Sequence, residues 1–236
     1  MKGVLLIAGN FAREQRWPIL LLILGVLALA LMGLLVDLQK QQEDALFLFK
    51  ELSLYGIAFS VFFGGSAINT ERRSRRILAV LAKSISRSQY VLGLLAGVAL
   101  AAGLYCFALG ITGTWLLGDI GFSHAHLWYL MLGLFCACLL AASVSVLYST
   151  FLNPFLATIA TALSLTLPAG TARFGGSLWQ KFLPVHSLMD TVLRASFSGP
   201  WAADWSLLAF SLAQTALICG LAAWIFSSRD VAVALD

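Results

Sequence analysis

The chain has 236 residues, of which 60% are hydrophobic and only 11% are charged. A soluble domain carries about 25% charged residues to keep its surface in water, so this composition excludes a water-soluble globule. The formal net charge of +4 comes from basic residues that gather on one side of the predicted topology, and it indicates membrane orientation rather than nucleic-acid binding.

The chain begins with an amphipathic segment that is too polar to cross a membrane. On a helical wheel, one face of residues 1–16 carries four apolar side chains: Val4, Ile7, Ala8 and Phe11. This pattern predicts a short helix that lies in the cytoplasmic interface of the membrane. A frayed polar tail is the alternative interpretation.

Six apolar stretches follow, and each approaches or exceeds the roughly 20 residues that a membrane-spanning helix needs. They are Trp17–Val36, Leu52–Asn69, Tyr90–Leu117, Leu127–Leu147, Pro154–Leu167 and Trp205–Phe226. Together they use most of the chain, and they lack the alternation that is typical of barrel strands. The sequence therefore predicts an all-α membrane protein, a single domain over residues 1–236 with six transmembrane helices.

Basic residues set the predicted orientation. With six spans and a cytoplasmic amino terminus, most of the 15 basic residues lie on the cytoplasmic side, and most acidic ones lie outside. Loops rich in lysine and arginine stay in the cytoplasm. We therefore expect both termini to be cytoplasmic and the protein to be a multi-pass protein of the cell membrane.

The segment between the second and third stretches, residues 71–89, carries the most information. At helical spacing its basic side chains share one face: Arg72, Arg76, Lys83 and Arg87. Its apolar side chains gather opposite them: Ile77, Leu78, Leu81 and Ile85. The pattern predicts a cytoplasmic helix that lies under the membrane with a basic stripe. Two partners fit the stripe equally well, namely anionic lipid headgroups and a cytoplasmic protein docked beneath the membrane.

Two polar or aromatic patterns lie within the spans. Tyr55, Phe59 and Phe62 follow helical spacing in the second stretch, and Thr158, Thr161 and Ser164 are spaced by three in the fifth. Such side chains ordinarily serve helix packing or bond their own backbone, and lining a pathway is the alternative. Between the fifth and sixth stretches we expect an outer helical hairpin. A helix after Pro184, with Asp190 and Arg194 paired at i,i+4, would end at Gly199-Pro200.

The sequence contains no motif that indicates catalysis, nucleotide binding or metal binding. It holds no nucleotide-binding motif of the form G-x-x-x-x-G-K-[ST]. No predicted span carries a charge near its centre, so proton or sodium coupling is not expected. We interpret the four cysteines as buried thiols, and His124 and His126 as polar residues of an outer loop rather than as metal ligands. We therefore expect no catalytic residue, no metal and no cofactor in this chain, which would work as a subunit powered from elsewhere.

The basic segment, placed between spans two and three, resembles that of ABC-2 type permeases, the membrane subunits of ATP-binding cassette exporters. Members of the family carry a pattern like E-R-E-x-G-T-L-x-x-L-L-x-x-P-[IV]-S-R, followed by an aromatic residue and Gly-Lys. Here the matching residues, without a gap, are Glu71-Arg72, Ile77, Leu78, Leu81, Ile85-Ser86-Arg87, Tyr90 and Gly93. The departures are Arg75-Arg76, Ser84 and Leu94, where the family has Gly-Thr, Pro and Lys.

The resemblance covers the chain in outline and is specific only over residues 71–93. It implies a permease paired with a second copy or a paralogue in the inner membrane, above two ATPase subunits that bind ATP and Mg²⁺. It also implies that the cytoplasmic helix couples to the ATPase through Glu71, Arg72, Arg76, Ile77, Leu81, Ile85 and Arg87. Spans two and five of such permeases line the path between protomers. The corresponding candidates here are Tyr55, Phe59, Phe62, Thr158 and Thr161.

Three other functions stay open on the sequence alone. The chain could serve an ABC-type complex that performs maturation or mechanical work, or it could be an anchor subunit without transport. A stand-alone membrane enzyme is the third, and the missing charged active site argues against it. An apolar, uncharged interior favours a lipid-like or amphiphilic cargo.

Overall fold

The computed structural model describes residues 2–35, 42–73, 86–118, 121–171, 184–197 and 200–228. These residues form eight helices and short connections, and no strand occurs among them. The helices are α1 (Lys2–Glu14), α2 (Arg16–Leu35), α3 (Gln42–Arg73), α4 (Arg87–Gly118), α5 (His124–Ser149), α6 (Pro154–Thr171), α7 (Val185–Leu193) and α8 (Trp205–Ser228). The all-helical prediction is confirmed for this part of the chain.

Four of the described helices are long and apolar enough to cross a membrane: α3, α4, α5 and α8. They coincide with four of the six predicted spans. The other two predicted spans correspond to α2 and α6, whose apolar described portions are shorter, Arg16–Leu29 and Pro154–Thr166. The chain is therefore a helical protein with the character of a membrane protein.

The second predicted span starts earlier in the structure than the hydropathy of the sequence indicated. Helix α3 begins at Gln42, ahead of the predicted Leu52, and it includes Lys50 and Glu51. Glu43 and Asp44 lie in its first turn, where carboxylates interact favourably with the positive end of the helix dipole. Lys50 and Glu51, which lie outside every predicted span, are thus part of a continuous helix of 32 residues.

Helix α5 lies at the centre of the bundle. In the apolar 18-residue stretch of α5, 78% is buried, against 39–50% in the corresponding stretches of the other three long helices. It contacts α3, α4, α6, α7 and α8, and much of its buried surface consists of small residues such as Ala137, Ala141 and Ser145. Small side chains let helix backbones approach closely in a membrane, where packing replaces the hydrophobic effect as the source of stability.

Helix α1 is amphipathic, as predicted, but its apolar face packs on protein. Ile7 lies over Gly93 of α4, and Phe11 lies one turn further along over Gly97. A Cβ atom at either glycine would stand 2.7 Å from the covering side chain. Phe11 also meets Phe63 of α3 edge to face, with ring centroids 5.9 Å apart. The spacing of Gly93 and Gly97 therefore accommodates α1 within the bundle.

The predicted outer helix is present as α7, although it ends at Leu193, before the predicted Gly199. Its buried residues Leu188 and Val192 join the hydrophobic core formed with α5. The predicted pair is confirmed, since Arg194 Nε donates to Asp190 Oδ1 at 2.7 Å. The sequence thus predicted this helix and its ion pair correctly.

Candidate functional site

The two ends of the predicted coupling segment belong to long helices. Glu71 and Arg72 lie in the last turn of α3, and Arg87 is the first residue of α4. The other four predicted coupling residues, Arg76, Ile77, Leu81 and Ile85, lie outside the described residues. The span-like helices therefore extend to the borders of the segment.

A side-chain cap fixes the start of α4. The amide of Ser86 donates to Gln89 Oε1 at 3.4 Å, and the amide of Gln89 donates to Ser86 Oγ at 3.3 Å. This reciprocal arrangement is a capping box, which satisfies two amides that the first turn of a helix leaves without partners. The sequence Ser86-Arg87-Ser88-Gln89 thus explains why the helix begins at Arg87.

Arg87 connects this helix start to the end of α8. Its Nη1 donates to the backbone oxygen of Ser227 at 3.2 Å. Ser227 lies in the last turn of α8, where carbonyl groups lack partners within the helix and carry the negative end of its dipole. Arg87 is therefore a cationic cap on α8, a role that its place in the motif did not indicate.

The two motif residues that follow Arg87 also have packing roles. Tyr90 is buried and stacks on Phe226 of α8, with ring centroids 5.9 Å apart and 22° between the planes. Gly93 lies beneath Ile7 of α1. We call this group, Ile7, Arg87, Tyr90, Gly93 and Phe226, the Arg87 junction. It joins α1, the start of α4 and the end of α8 at one end of the bundle.

The aromatic residues of the predicted path differ in their surroundings. Tyr55 and Phe62 project from α3 with 59% of each side chain exposed. Phe59 is half-buried, and its ring contacts that of Phe63 at a centroid distance of 3.9 Å. Phe62 also lies near Phe63, with ring centroids 6.4 Å apart, but most of its surface and of that of Tyr55 lies on the outside of this single chain.

The threonines of the predicted path face the interior. Thr161 is fully buried, and its hydroxyl donates to Ala157 O of its own helix at 2.7 Å. Thr158 likewise donates to Pro154 O at 2.9 Å, and its Oγ1 would lie 2.7 Å from a Cβ atom at Gly65 of α3. The structure thus brings α3 and α6 into close contact at Gly65 and Thr158.

Sequence reasoning missed a set of hydrogen bonds between α3, α5 and α6. Ser145 Oγ donates to Val61 O of α3 at 2.6 Å. Tyr148 OH and Ser164 Oγ of α6 lie 2.8 Å apart. Gly64 allows the approach, because its Cβ atom would meet Ala142 O at 2.8 Å. The pair Gly64-Gly65 was the available signal for this three-helix contact.

The second missed feature is an aromatic stack at the opposite end of the bundle. His124 and His126 are not loop residues, since α5 begins at His124 and Ser123 caps it. His126 stacks on Trp201 with centroids 4.7 Å apart and 4° between the planes. Phe122 stacks on the same imidazole at 4.9 Å. We call Phe122, His126, Tyr129 and Trp201 the aromatic stack.

The aromatic stack borders a cavity of about 230 Å³ between α5, the end of α7 and the segment before α8. Tyr129 is held in place by Asp204, whose amide donates to the phenol oxygen at 2.8 Å. Asp204 also caps α8, with Oδ1 accepting from Ser206 Oγ at 2.6 Å and from the Leu207 amide at 3.1 Å. The Ser206 hydroxyl and the Leu207 amide lower the pKa of Asp204 below its ordinary value.

Neither the Arg87 junction nor the aromatic stack has the donor set of a metal centre. In the part of the chain that the structure describes, no three His, Cys, Asp or Glu side chains come together as ligands would. The cysteines Cys106, Cys136, Cys138 and Cys219 are buried free thiols, as predicted. No family model and no curated protein matches this chain. Its function has to be argued from the geometry of these sites and from the motif.

Proposed function

We propose that this chain is the transmembrane permease subunit of an ATP-binding cassette exporter, driven by a separate ATPase subunit. The observation that carries the proposal is the Arg87 junction. Three residues of the family-like motif, Arg87, Tyr90 and Gly93, each contact a different partner on α1 or α8. The described part of the motif therefore lies beside α1 and at the ends of α3, α4 and α8. A displacement at this place could move all four helices.

The lengths of α3 and α4 fit a mechanical role. Each has 32 residues, which corresponds to about 48 Å of helix and exceeds the roughly 30 Å of the hydrocarbon core. Both helices are therefore longer than the core is thick, and the end of α3 and the start of α4 border residues 74–86. A force applied to that segment by an ATPase would move two rigid rods, and α4 would carry α1 and α8 with it.

The transport path in this proposal lies between two copies of the permease or between this chain and a paralogue. Tyr55 and Phe62 are exposed on α3 of the single chain, which leaves them available to a partner. Thr158 and Thr161 would enter the path only if α6 moved away from α3. The two shorter apolar helices, α2 and α6, complete six spans with both termini in the cytoplasm of a cell whose inner membrane holds the complex.

The topology can be tested with two reporter fusions. A reporter inserted within residues 74–86 is expected to be cytoplasmic, and one inserted near Gly175 is expected to be outside. The basic residues of the first segment favour its retention in the cytoplasm. If both reporters lie on the same side of the membrane, the six-span arrangement is wrong.

The function can be tested by purifying the chain from its native membrane. We expect an ATPase subunit to co-purify in a fixed ratio, and we expect hydrolysis of ATP to require that subunit. The purified chain by itself should show only background activity. Robust hydrolysis by the lone polypeptide, or a co-purifying ATPase that stays inert with every candidate cargo, would contradict the proposal.

A further inference from the structure

The cavity beside the aromatic stack has the size of a single chemical group. Its volume is about 230 Å³, below the roughly 300–1,000 Å³ of pockets that enclose whole drug-sized ligands. Its lining combines aromatic rings from His126, Tyr129 and Trp201 with polar side chains from Thr191 and Arg194. A ligand here would therefore insert one polar group and keep the rest of its body outside.

The aromatic walls are rigid before any ligand arrives. Trp201 is stacked on His126, and Phe122 supports the other face of the imidazole. Tyr129 is tilted against Trp201, with ring centroids 5.8 Å apart, and Asp204 fixes its hydroxyl group. Walls that are already ordered lose little conformational entropy when a ligand binds, which favours affinity.

Charges of opposite sign lie side by side at the rim. Arg194 lines the cavity, and its Nε binds Asp190 Oδ1 at 2.7 Å, with the arginine side chain largely exposed. An exposed ion pair contributes little stability, so the guanidinium can accept a second anion at little expense. Guanidinium groups bind phosphate with two parallel hydrogen bonds, whereas the faces of tryptophan and tyrosine attract ammonium groups.

The position of the cavity matches the level of lipid headgroups. Helices α5 and α8 both begin beside it, and α4 ends nearby, since His124 packs on Gly118. Tryptophan and tyrosine are enriched where spanning helices meet the membrane surface. Trp205, the first residue of α8, is exposed beside Tyr129, with ring centroids 5.8 Å apart, and it offers an apolar surface along which an acyl chain could lie.

We propose that this cavity binds the zwitterionic headgroup of a phospholipid, with the phosphate on Arg194 and the ammonium group against the faces of Trp201 and Tyr129. The aromatic rings and the paired charges complement the two charges of phosphatidylethanolamine or phosphatidylcholine. An anionic lipid without an ammonium group would use only half of the site. The inference does not depend on the proposed transport function.

The test is native mass spectrometry of the full chain in detergent, with phosphatidylethanolamine, phosphatidylcholine and phosphatidylglycerol added in turn. We expect one tightly retained zwitterionic lipid. Trp201→Leu and Arg194→Gln should each weaken its retention about tenfold, the loss that corresponds to one cation–π contact or one charged hydrogen bond. Trp201→Phe keeps an aromatic face and should retain most of the lipid, which separates binding from misfolding.

The control is Trp224→Leu, which removes a more exposed tryptophan (68%, against 38% for Trp201) near the end of α8 that is far from the cavity, and which should leave retention unchanged. Free phosphoethanolamine should compete only weakly, because the acyl chains contribute to binding. Equal retention of phosphatidylglycerol, or unchanged retention in both Trp201→Leu and Arg194→Gln, would overturn the proposal. Binding of phosphoethanolamine as tight as that of the lipid would assign the site to a soluble phosphate ester instead.

Discussion

At the Arg87 junction large apolar side chains lie directly on glycine backbone, whereas at the other end of the bundle aromatic rings surround a cavity of about 230 Å³. The contact between α1 and α4 leaves no room for a Cβ atom at Gly93 or, one turn further along, at Gly97. The cavity leaves room for a chemical group. Close-packed contacts transmit displacement because they cannot be compressed, and a preformed cavity is suited to binding. This difference in packing fits the two proposed roles, transmission of movement at one end of the bundle and ligand binding at the other.

The largest effect is expected from filling the contact between α1 and α4. Gly93→Ala introduces a methyl group 2.7 Å from Ile7 Cβ, so we expect the free energy of unfolding to fall by about 1–3 kcal/mol. Thermal unfolding in detergent measures the change. The matched control is Gly220→Ala on α8, where nothing lies within 4 Å of the new atom, and which should be neutral or slightly stabilising.

A second variant tests whether the methyl group at position 93 clashes with Ile7 of α1. Ile7→Gly removes Cβ, Cγ2 and Cδ1, the three atoms that the new methyl group would meet at 2.7–3.2 Å, so the double variant should recover stability relative to the sum of the single changes. Additive losses would show that Gly93 and Ile7 are not in contact. The Arg87 junction would then lack its connection to α1.

The next largest effect concerns Arg87 itself. Arg87→Lys keeps the charge but loses the planar guanidinium that reaches Ser227 O at 3.2 Å. In the reconstituted complex we expect more than half of the ATPase-coupled activity to be lost. Arg72→Lys, at the end of α3, should be nearly silent. Equal small losses in both variants would favour anchoring by anionic lipids over coupling to an ATPase.

Two roles of Arg87 have to be distinguished, namely capping α8 and contacting the ATPase. If it acts only by capping α8, Arg87→Lys should lower the thermal stability of the isolated permease together with its activity. If it also contacts the ATPase, coupled activity should fall further than the loss of stability accounts for. Measuring the unfolding temperature of both lysine variants before reconstitution distinguishes the two outcomes.

A smaller effect is expected in the middle of the bundle. Ser145→Ala removes the hydrogen bond to Val61 O of α3, and such bonds in membrane proteins contribute about 0.6 kcal/mol on average. Ser143→Ala is the matched control, because that buried hydroxyl bonds Leu140 O of its own helix at 2.8 Å. Equal stability of the two variants would mean that the contact between α3 and α5 depends on packing alone.

Local patterns predicted the helices well, and they predicted contacts poorly. Helical spacing identified the buried face of α1, but it could not show that Gly93 and Gly97 lie beneath Ile7 and Phe11. Periodicity reports which face of a helix is buried and carries no information about what covers it. The same limit applies to Arg87, whose partner Ser227 lies 140 residues away in the sequence.

The aromatic stack shows the limit most clearly. We predicted His126 as a polar loop residue and did not single out Trp201, and only the fold places one ring on the other. Hydropathy also underestimated α3, because Lys50 and Glu51 interrupt an apolar run without interrupting the helix. Charged side chains near the end of a span can extend toward the membrane surface. A charged residue is therefore an unreliable marker of where a membrane-spanning helix begins or ends.

The smallest predicted effect belongs to the cap that holds the aromatic end together. The pKa of Asp204 is lowered by the Ser206 hydroxyl and the Leu207 amide, so its folded-state value lies below the unfolded value of about 3.9. The cap therefore contributes its stability above about pH 4 and loses it as the pH falls through the folded-state pKa. Asp204→Asn caps a helix about as well and does not titrate. Thermal unfolding between pH 7 and pH 3 should show the wild type losing stability relative to this variant only at the acidic end. Asp204→Ala should be less stable, by about 1 kcal/mol, wherever the carboxylate is ionised. If wild type and Asp204→Asn instead follow parallel curves over the whole range, the carboxylate does not act as the cap of α8, and Tyr129 is fixed by the backbone of Asp204 alone.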